Sequence, residues 1–215
     1  MAGSVRHLRS PVPKAEFGAL KPVSKTLDPS KWVNLRWREY ATKKDLFFAS
    51  ESARLTPAKG KARCLYLAPD ERTAFLELYG DKIHLAHEAD TVPIIEANDF
   101  IERVFLNVSL PTVTLVDLTA GGGLESIGID LGTLYAADPQ FPRAFAQSVL
   151  EHPAKVDGFL YESRHTKGHC AVVWSYHRSI LAKVPWGNKR PLGASVTSLV
   201  GDIASLFGAK VRIAS

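Results

Sequence analysis

The chain has 215 residues and a formal net charge of +5, with 46% hydrophobic and 23% charged residues. This length and composition are ordinary for a soluble globular domain with a sizeable core. No apolar run approaches the roughly 20 residues that a bilayer-spanning helix requires, and the N-terminus lacks the apolar core of a secretory signal. We therefore predict a cytoplasmic protein without membrane contact, in which Cys64 and Cys170 are reduced and buried.

The first 30 residues differ from the rest of the chain in composition. They contain four prolines and little apolar periodicity. They also hold five Lys or Arg against two acidic residues, and so supply +3 of the net charge of +5. We predict that residues 1–30 form a flexible basic arm and that residues 31–215 form a single domain. Such an arm could contact RNA, DNA or an acidic partner.

Ordered structure is predicted to begin near Trp32, where apolar residues become dense. A short strand is predicted over residues 47–49, a polar loop over 50–61 and a strand over 63–68. A helix should follow, because Pro69 suits the first helical position and the acidic residues after it favour the positive end of the helix dipole. Gly80 predicts the end of this helix.

The second half of the chain alternates less regularly between strand and helix patterns. Strands are predicted within 102–109, 112–118, 158–162 and 170–175, and a helix over 141–151. The glycine-rich residues 119–132 match neither a P-loop nor a dinucleotide-binding pattern, and predict a turn with a short helix. Apolar residues at helical spacing predict an amphipathic helix over 196–207, and an edge strand could follow at 210–213. Without regular βαβ alternation, the prediction is an α+β fold.

Two polar residues interrupt apolar segments in this pattern. Tyr66 shares one face of its strand with Cys64 and Ala68. Glu77 lies on the flank of the apolar stripe of the following helix. The ordinary interpretation is a core tyrosine with a hydrogen-bonded hydroxyl and a glutamate that faces water.

Arg38, Arg54 and Ser163 are further candidates. Both arginines could be surface charges, or could bind phosphate oxygens in bidentate fashion. Ser163, at a strand end, could simply form a turn. The histidine pairs 84/87 and 165/169 have no supporting carboxylate or cysteine pattern, so no metal site is predicted.

The order of these residues resembles the RES domain, a family named for its Arg, Glu and Ser residues. The resemblance runs from about Trp37 to Trp174, and the segments LYLAPDERTAFLE and VDGFLYESRHTKGH carry most of it. VDLT at 116–119 is a weaker match. Where the family often has a Gly-Gly-Arg-Phe-Asn loop, this chain has residues 51–56, which keep Arg54 but neither glycine.

The resemblance implies an ADP-ribosyltransferase-like mixed sheet with flanking helices. It also implies a toxin that degrades NAD by cleaving the nicotinamide–ribose bond through hydrolysis or phosphorolysis. NAD would then be the substrate and no cofactor would be needed, with phosphate as co-substrate where the cleavage is phosphorolytic. The implied partner is an Xre-type antitoxin, through which the protein would meet nucleic acid only indirectly.

The same resemblance implies roles for five residues. Glu77 would stabilise the oxocarbenium-like centre that forms when the bond to nicotinamide breaks. Arg38 and Arg54 would hold phosphate groups, and Tyr66 would pack against the nicotinamide ring. Ser163 would hydrogen-bond the ribose or the carboxamide.

Three alternatives remain open at this stage. The protein could be an ADP-ribosyltransferase that modifies a protein target. It could be a nucleic-acid-binding module in which the basic arm acts together with Trp32, Arg36, Trp37 and Arg38. It could also keep the RES fold and serve only as a partner-binding unit.

Overall fold

The computed structural model describes residues 23–26, 32–42, 46–47, 53–57, 62–119, 131–134, 139–153, 155–174, 186–195, 198–199, 201–202 and 212–214. Helices and strands are mixed along these ranges without regular alternation. The predicted α+β class is thereby confirmed.

The largest sheet has five strands in the order β1-β6-β7-β8-β3. These are β1 (Val23–Lys25), β3 (Cys64–Leu67), β6 (Val113–Asp117), β7 (Gly158–Glu162) and β8 (His169–Trp174). Strands β6 and β7 pair in parallel and the other neighbours are antiparallel. The sheet is therefore mixed, as predicted.

Two smaller sheets complete the strands of the described residues. An antiparallel sheet has the order β2-β5-β9, formed by β2 (Val33–Trp37), β5 (Arg103–Val108) and β9 (Trp186–Pro191). A parallel pair joins β4 (Ile94–Glu96) to β10 (Arg212–Ala214). The edge strand predicted at 210–213 is confirmed over residues 212–213.

A backbone bridge joins the three-stranded sheet to the five-stranded sheet. Val33 and Ala68 exchange two backbone hydrogen bonds, each 2.8 Å long. This bridge holds the start of β2 against the end of β3. It fixes the corner from which the candidate site opens.

The α-helices of the described residues include α1 (Glu71–Glu88), α2 (Ala97–Glu102), α3 (Leu131–Leu134) and α4 (Gln140–Leu150). Two short 3₁₀ helices span Arg38–Tyr40 and Leu192–Ser195. No helix in these ranges is both long and apolar enough to cross a bilayer.

The five-stranded sheet is buried on both faces. On one face, side chains of the central strands pack against Phe75 of α1 and against Phe145 and Val149 of α4; the strand residues include Cys64, Phe159, Cys170, Val172 and Trp174. The other face carries the alternate residues of the same strands, among them Leu65, Leu67, Leu160 and Val173. Each large apolar side chain buried in this way contributes about 1.5–3 kcal/mol. The sheet with α1 and α4 is therefore a firm base for the site.

Helix α1 differs from its prediction at both ends. Asp70 is its N-cap and accepts a 2.6 Å hydrogen bond from the backbone N–H of Thr73, so Pro69 lies just before the helix and not in its first position. The helix also continues through Gly80 to Glu88. Beyond Gly80, Ile83 is buried in the same core as Phe75, and this packing offsets the roughly 1 kcal/mol that an interior glycine costs.

Other predicted elements have mixed outcomes. The strands of 102–109, 112–118, 158–162 and 170–175 and the helix of 141–151 are confirmed within one or two residues. Phe47 lies in a bend, and residues 48–49 of that predicted strand lie outside the described residues. The turn predicted at 119–132 is described only at 119, 131 and 132. Of the helix predicted at 196–207, residues 198–199 and 201–202 are described and helical.

The basic arm falls almost entirely outside the described residues. Within it, Val23–Lys25 pair with β6 as an edge strand, and Thr26 follows. A strand of three residues is too short to show alternation, which is why the sequence pattern did not predict it.

Candidate active site

A cavity of about 510 Å³ opens between α1, β2, β3 and residues 53–57. This volume is typical of small-molecule sites. Arg54, Tyr66 and Glu77, three of the predicted site residues, line it together. The segments that carry them are separated in sequence, so the cavity depends on the corner between the two sheets.

The Glu77 carboxylate accepts two side-chain hydrogen bonds in this cavity. Its Oε1 accepts a 2.7 Å hydrogen bond from Ser163 Oγ, and its Oε2 accepts a 3.0 Å hydrogen bond from the Tyr161 hydroxyl. Glu77 lines the cavity as an exposed residue, yet its carboxylate is engaged by both donors. Both carboxylate oxygens are therefore fixed in orientation.

The environment of this carboxylate perturbs its protonation. Desolvation raises the pKa of Glu77, while the hydrogen bonds from Ser163 and Tyr161 and the charge of Arg164 act in the opposite direction. A carboxylate whose pKa is raised and which is held by specific donors is typical of catalytic sites.

Ser163 is placed behind Glu77, not at the cavity surface. Its side chain is almost completely buried, at 1% exposure. Besides donating to Glu77, its Oγ accepts from the backbone N–H groups of His165 and Thr166 at 3.2 and 3.4 Å. The turn closes through a 2.8 Å hydrogen bond from Ser163 N–H to the Gly168 carbonyl. Ser163 thus joins the turn of residues 163–168 to the carboxylate on α1.

Tyr66 fixes the segment that carries Arg54. Its hydroxyl accepts a hydrogen bond from the Leu55 N–H at 3.2 Å and lies 3.2 Å from Thr56 Oγ1. The indole N–H of Trp174 donates to the Leu55 carbonyl at 3.2 Å. Burial raises the pKa of Tyr66, so it remains a neutral phenol. The tyrosine contributes to the cavity wall and also positions the loop of Arg54.

The two arginines near the start of the domain have different environments. Arg38 is exposed and donates to the Ile101 carbonyl at 2.8 Å, outside the set of residues that line the cavity. Arg36 is buried and donates to Asn34 Oδ1 and, at 2.7 Å, to the Leu46 carbonyl. Strand alternation places Asn34 and Arg36 on the same side of β2. The structure does not bring Arg38 to the other predicted residues.

Among the cavity residues that sequence reasoning missed are Tyr161 and His165. Tyr161 had a signal, since period-2 alternation places it on the same side of β7 as Ser163, two residues later. His165 had none, because it lies in a turn and its ring meets Gly80 of α1, 85 positions earlier in the chain.

The histidine pairs do not gather metal ligands. His84 Nε2 lies 3.2 Å from Glu88 on the exposed side of α1. Over the part of the chain that the structure describes, no three His, Cys, Asp or Glu side chains are placed to hold a metal ion.

The chain belongs to the RES domain family, because the model of that family matches residues 32–194. A solved chain similar to it comes from the "Crystal structure of the M.tuberculosis MbcT-MbcA toxin-antitoxin complex". The two chains share 14% identity with a TM-score of 0.59, over 91% of this chain and 97% of the other. This likeness shows the fold alone. The comparison with curated proteins gives no match.

Proposed function

We propose that the cavity binds NAD and cleaves its nicotinamide–ribose bond. The observation that carries the proposal is the Glu77 carboxylate, held by Ser163 and Tyr161 in a cavity that Arg54 and Tyr66 also line. Membership of the RES family supports it, because the five predicted site residues lie within the matched span.

The chemistry suits a fixed carboxylate. Departure of nicotinamide leaves positive charge on the ribose, and a preorganised anion stabilises this charge as it develops. Ser163 and Tyr161 hold Glu77 in one orientation, so little reorganisation is needed when the bond breaks. Both hydroxyls donate to the charged form of the carboxyl group and so favour it.

The other predicted residues differ in whether their side chains line the cavity. Arg54 would bind the pyrophosphate, and the Tyr66 ring would form a wall for the nicotinamide. Ser163 acts through Glu77, since its hydroxyl is buried and already engaged. The phosphate contact predicted for Arg38 stays a prediction, because its side chain lies outside the cavity lining. NAD is the substrate in this scheme and no cofactor takes part.

We further propose that the protein is the toxin of a toxin–antitoxin pair with an Xre-type partner. The family, together with a similar fold in a toxin–antitoxin complex, supports this proposal. Co-expression with a candidate antitoxin encoded beside it should restore the growth of cells that the protein alone arrests.

The test of the enzymatic proposal is nicotinamide release from NAD by purified protein, with and without phosphate, measured by chromatography. Glu77→Gln should lower the rate by about 100-fold or more, as expected when a charge-stabilising group is removed. Glu88→Gln is the matched control, because Glu88 lies exposed near the end of the same helix, and it should keep the wild-type rate.

The melting temperature separates this effect from misfolding. Because the pKa of Glu77 is raised in the folded protein, its favourable contribution to stability is present at low pH and lost as the pH rises through that pKa. Gln cannot ionise, so Glu77→Gln should melt at or above the wild-type temperature at neutral pH. A wild-type protein that leaves NAD intact with and without phosphate would refute the proposed activity. An unchanged rate in Glu77→Gln would remove Glu77 from the mechanism.

A further inference from the structure

Helix α1 contains a glycine, Gly80, one turn after Glu77. An interior glycine costs about 1 kcal/mol relative to alanine, so a packing reason is expected. The imidazole of His165 is that reason. A Cβ at position 80 would lie 2.6 Å from Cε1 and Nδ1 of the ring and 2.7 Å from Cδ2. The ring therefore rests face-on against the helix backbone.

The position of the His165 ring against Gly80 places it beside the Glu77 carboxylate. Residues three apart are neighbours on a helix surface, so a ring on Gly80 lies next to the turn that carries Glu77. Both side chains line the same cavity. The turn of residues 163–168 also links His165 to Glu77, because Ser163 Oγ donates to the Glu77 carboxylate and accepts from the His165 N–H.

The charged groups around the His165 imidazole influence its tautomer and its protonation state. The His165 side chain is 9% exposed, and its Nε2 lies 3.5 Å from Asp81 Oδ1. Asp81 also pairs with Arg164. A carboxylate beside Nε2 favours the tautomer with its proton on that atom, which leaves Nδ1 as the proton acceptor. Burial, and then Arg164, lower the pKa of His165, against the opposing effect of Asp81 and with a further lowering by His84. The ring is thus neutral at neutral pH.

We propose that His165 is the base that activates the water attacking NAD in this cavity, an inference that rests on the proposed function. The water oxygen bonds to the anomeric carbon of the ribose as the carbon–nitrogen bond to nicotinamide breaks. The electron pair of that bond neutralises the ring nitrogen of nicotinamide, and a proton of the water passes to His165. ADP-ribose and nicotinamide leave, and His165 later releases its proton to solvent.

The local charges favour water over phosphate as the acceptor. Arg164 is held by the Asp81 carboxylate, so a phosphate dianion would have to compete with that carboxylate for the guanidinium. A neutral imidazole adds no positive charge to attract it. With Arg54 assigned to the pyrophosphate of NAD, the groups around His165 support hydrolysis in preference to phosphorolysis.

The test compares two acceptors, water and azide, in His165→Gln. Azide is already an anion and needs no base, whereas water does. Hydrolysis should fall by about 100-fold, the usual contribution of a general base, while formation of the azide adduct of ADP-ribose persists. Mass spectrometry of the products should show the ratio of azide adduct to ADP-ribose rising by a similar factor. His87→Gln removes an exposed histidine of α1 outside the cavity lining and should leave both products unchanged.

Gly80→Ala is a second and independent variant, because its methyl group must displace the ring. It should cause the same selective loss of hydrolysis. Gly201→Ala is its control, since a Cβ there meets nothing within 4 Å.

The outcomes separate the two proposals. Unchanged hydrolysis in His165→Gln, an equal loss of both products, or a wild type that uses phosphate to the near exclusion of water would overturn the role of His165 while leaving NAD cleavage intact. A wild type that releases no nicotinamide with water, phosphate or azide would overturn the proposed function, and this inference with it.

Discussion

Glu77 shows how a residue acquires its role from side chains that lie far away in sequence. On helical periodicity alone it lies on the flank of an apolar stripe and is expected to face water. In the structure it is exposed, as expected, but its carboxylate is held by Ser163 and Tyr161, more than 80 positions away. Ser163 was predicted from the family resemblance, although its placement behind the carboxylate was not. Tyr161 was missed.

The two hydroxyl donors should lower the pH at which the site becomes active, against the effect of desolvation. Both hydrogen bonds favour the charged carboxylate, so removing one raises the pKa of Glu77 further. In Tyr161→Phe the rise of activity with pH should therefore occur at higher pH than in the wild type. The pH profile of nicotinamide release measures this shift. Tyr40→Phe, a change at an exposed surface tyrosine, should leave the profile unmoved. A profile identical to wild type in Tyr161→Phe would contradict the role of this hydroxyl.

Helix α1 is the element on which the site depends, because it carries Glu77, Gly80 and Asp81. Its start was anticipated near Pro69 from proline and acidic residues, but its length was not. Gly80 predicts an end when only local propensity is considered. The helix continues for two further turns beyond Gly80, where Ile83 is buried in the core and the ring of His165 packs on the glycine itself.

The N-cap offers a test of this element that leaves the cavity lining intact. Asp70→Ala removes the acceptor of the Thr73 N–H and should lower the free energy of unfolding by about 1 kcal/mol. Asp70→Asn keeps a capping oxygen and should stay close to wild type. Urea denaturation followed by circular dichroism measures both. Equal stability of Asp70→Ala and wild type would show that the cap contributes little to α1.

At the scale of the molecule, the central strands of the five-stranded sheet are buried on both faces. Cys64 and Cys170 lie on its α1 and α4 side, each with no exposed surface. Both are free thiols. Burial raises the pKa of Cys64 to about 11 and raises the pKa of Cys170 further. The reactive thiolate form is therefore suppressed as long as α1 and α4 stay packed on the sheet.

This burial predicts the reactivity of the whole protein toward thiol reagents. Native protein should react with Ellman's reagent only as fast as it unfolds globally, and both thiols should titrate at once in denaturant. The Asp70→Ala variant, being less stable, should react faster under native conditions. Rapid stoichiometric labelling of the native wild type would contradict the packing described for β3 and β8.

The amino-acid sequence by itself determined the local elements of this protein and the class of its fold. Alternation and helical spacing act between neighbours in the chain, so β7, β8 and α4 were recognisable within one or two residues. The RES motifs likewise identify Glu77, Arg54, Tyr66 and Ser163 from the sequence alone.

Only the tertiary structure decided which of these residues meet. It brought Glu77 to Tyr161 and Ser163 and seated His165 on Gly80, and it left Arg38 on the surface. The length of α1 and the three-residue strand β1 were also decided by packing and strand pairing. The physical reason is common to all of them: these contacts join segments far apart in sequence, and no local periodicity carries information about a partner that distant.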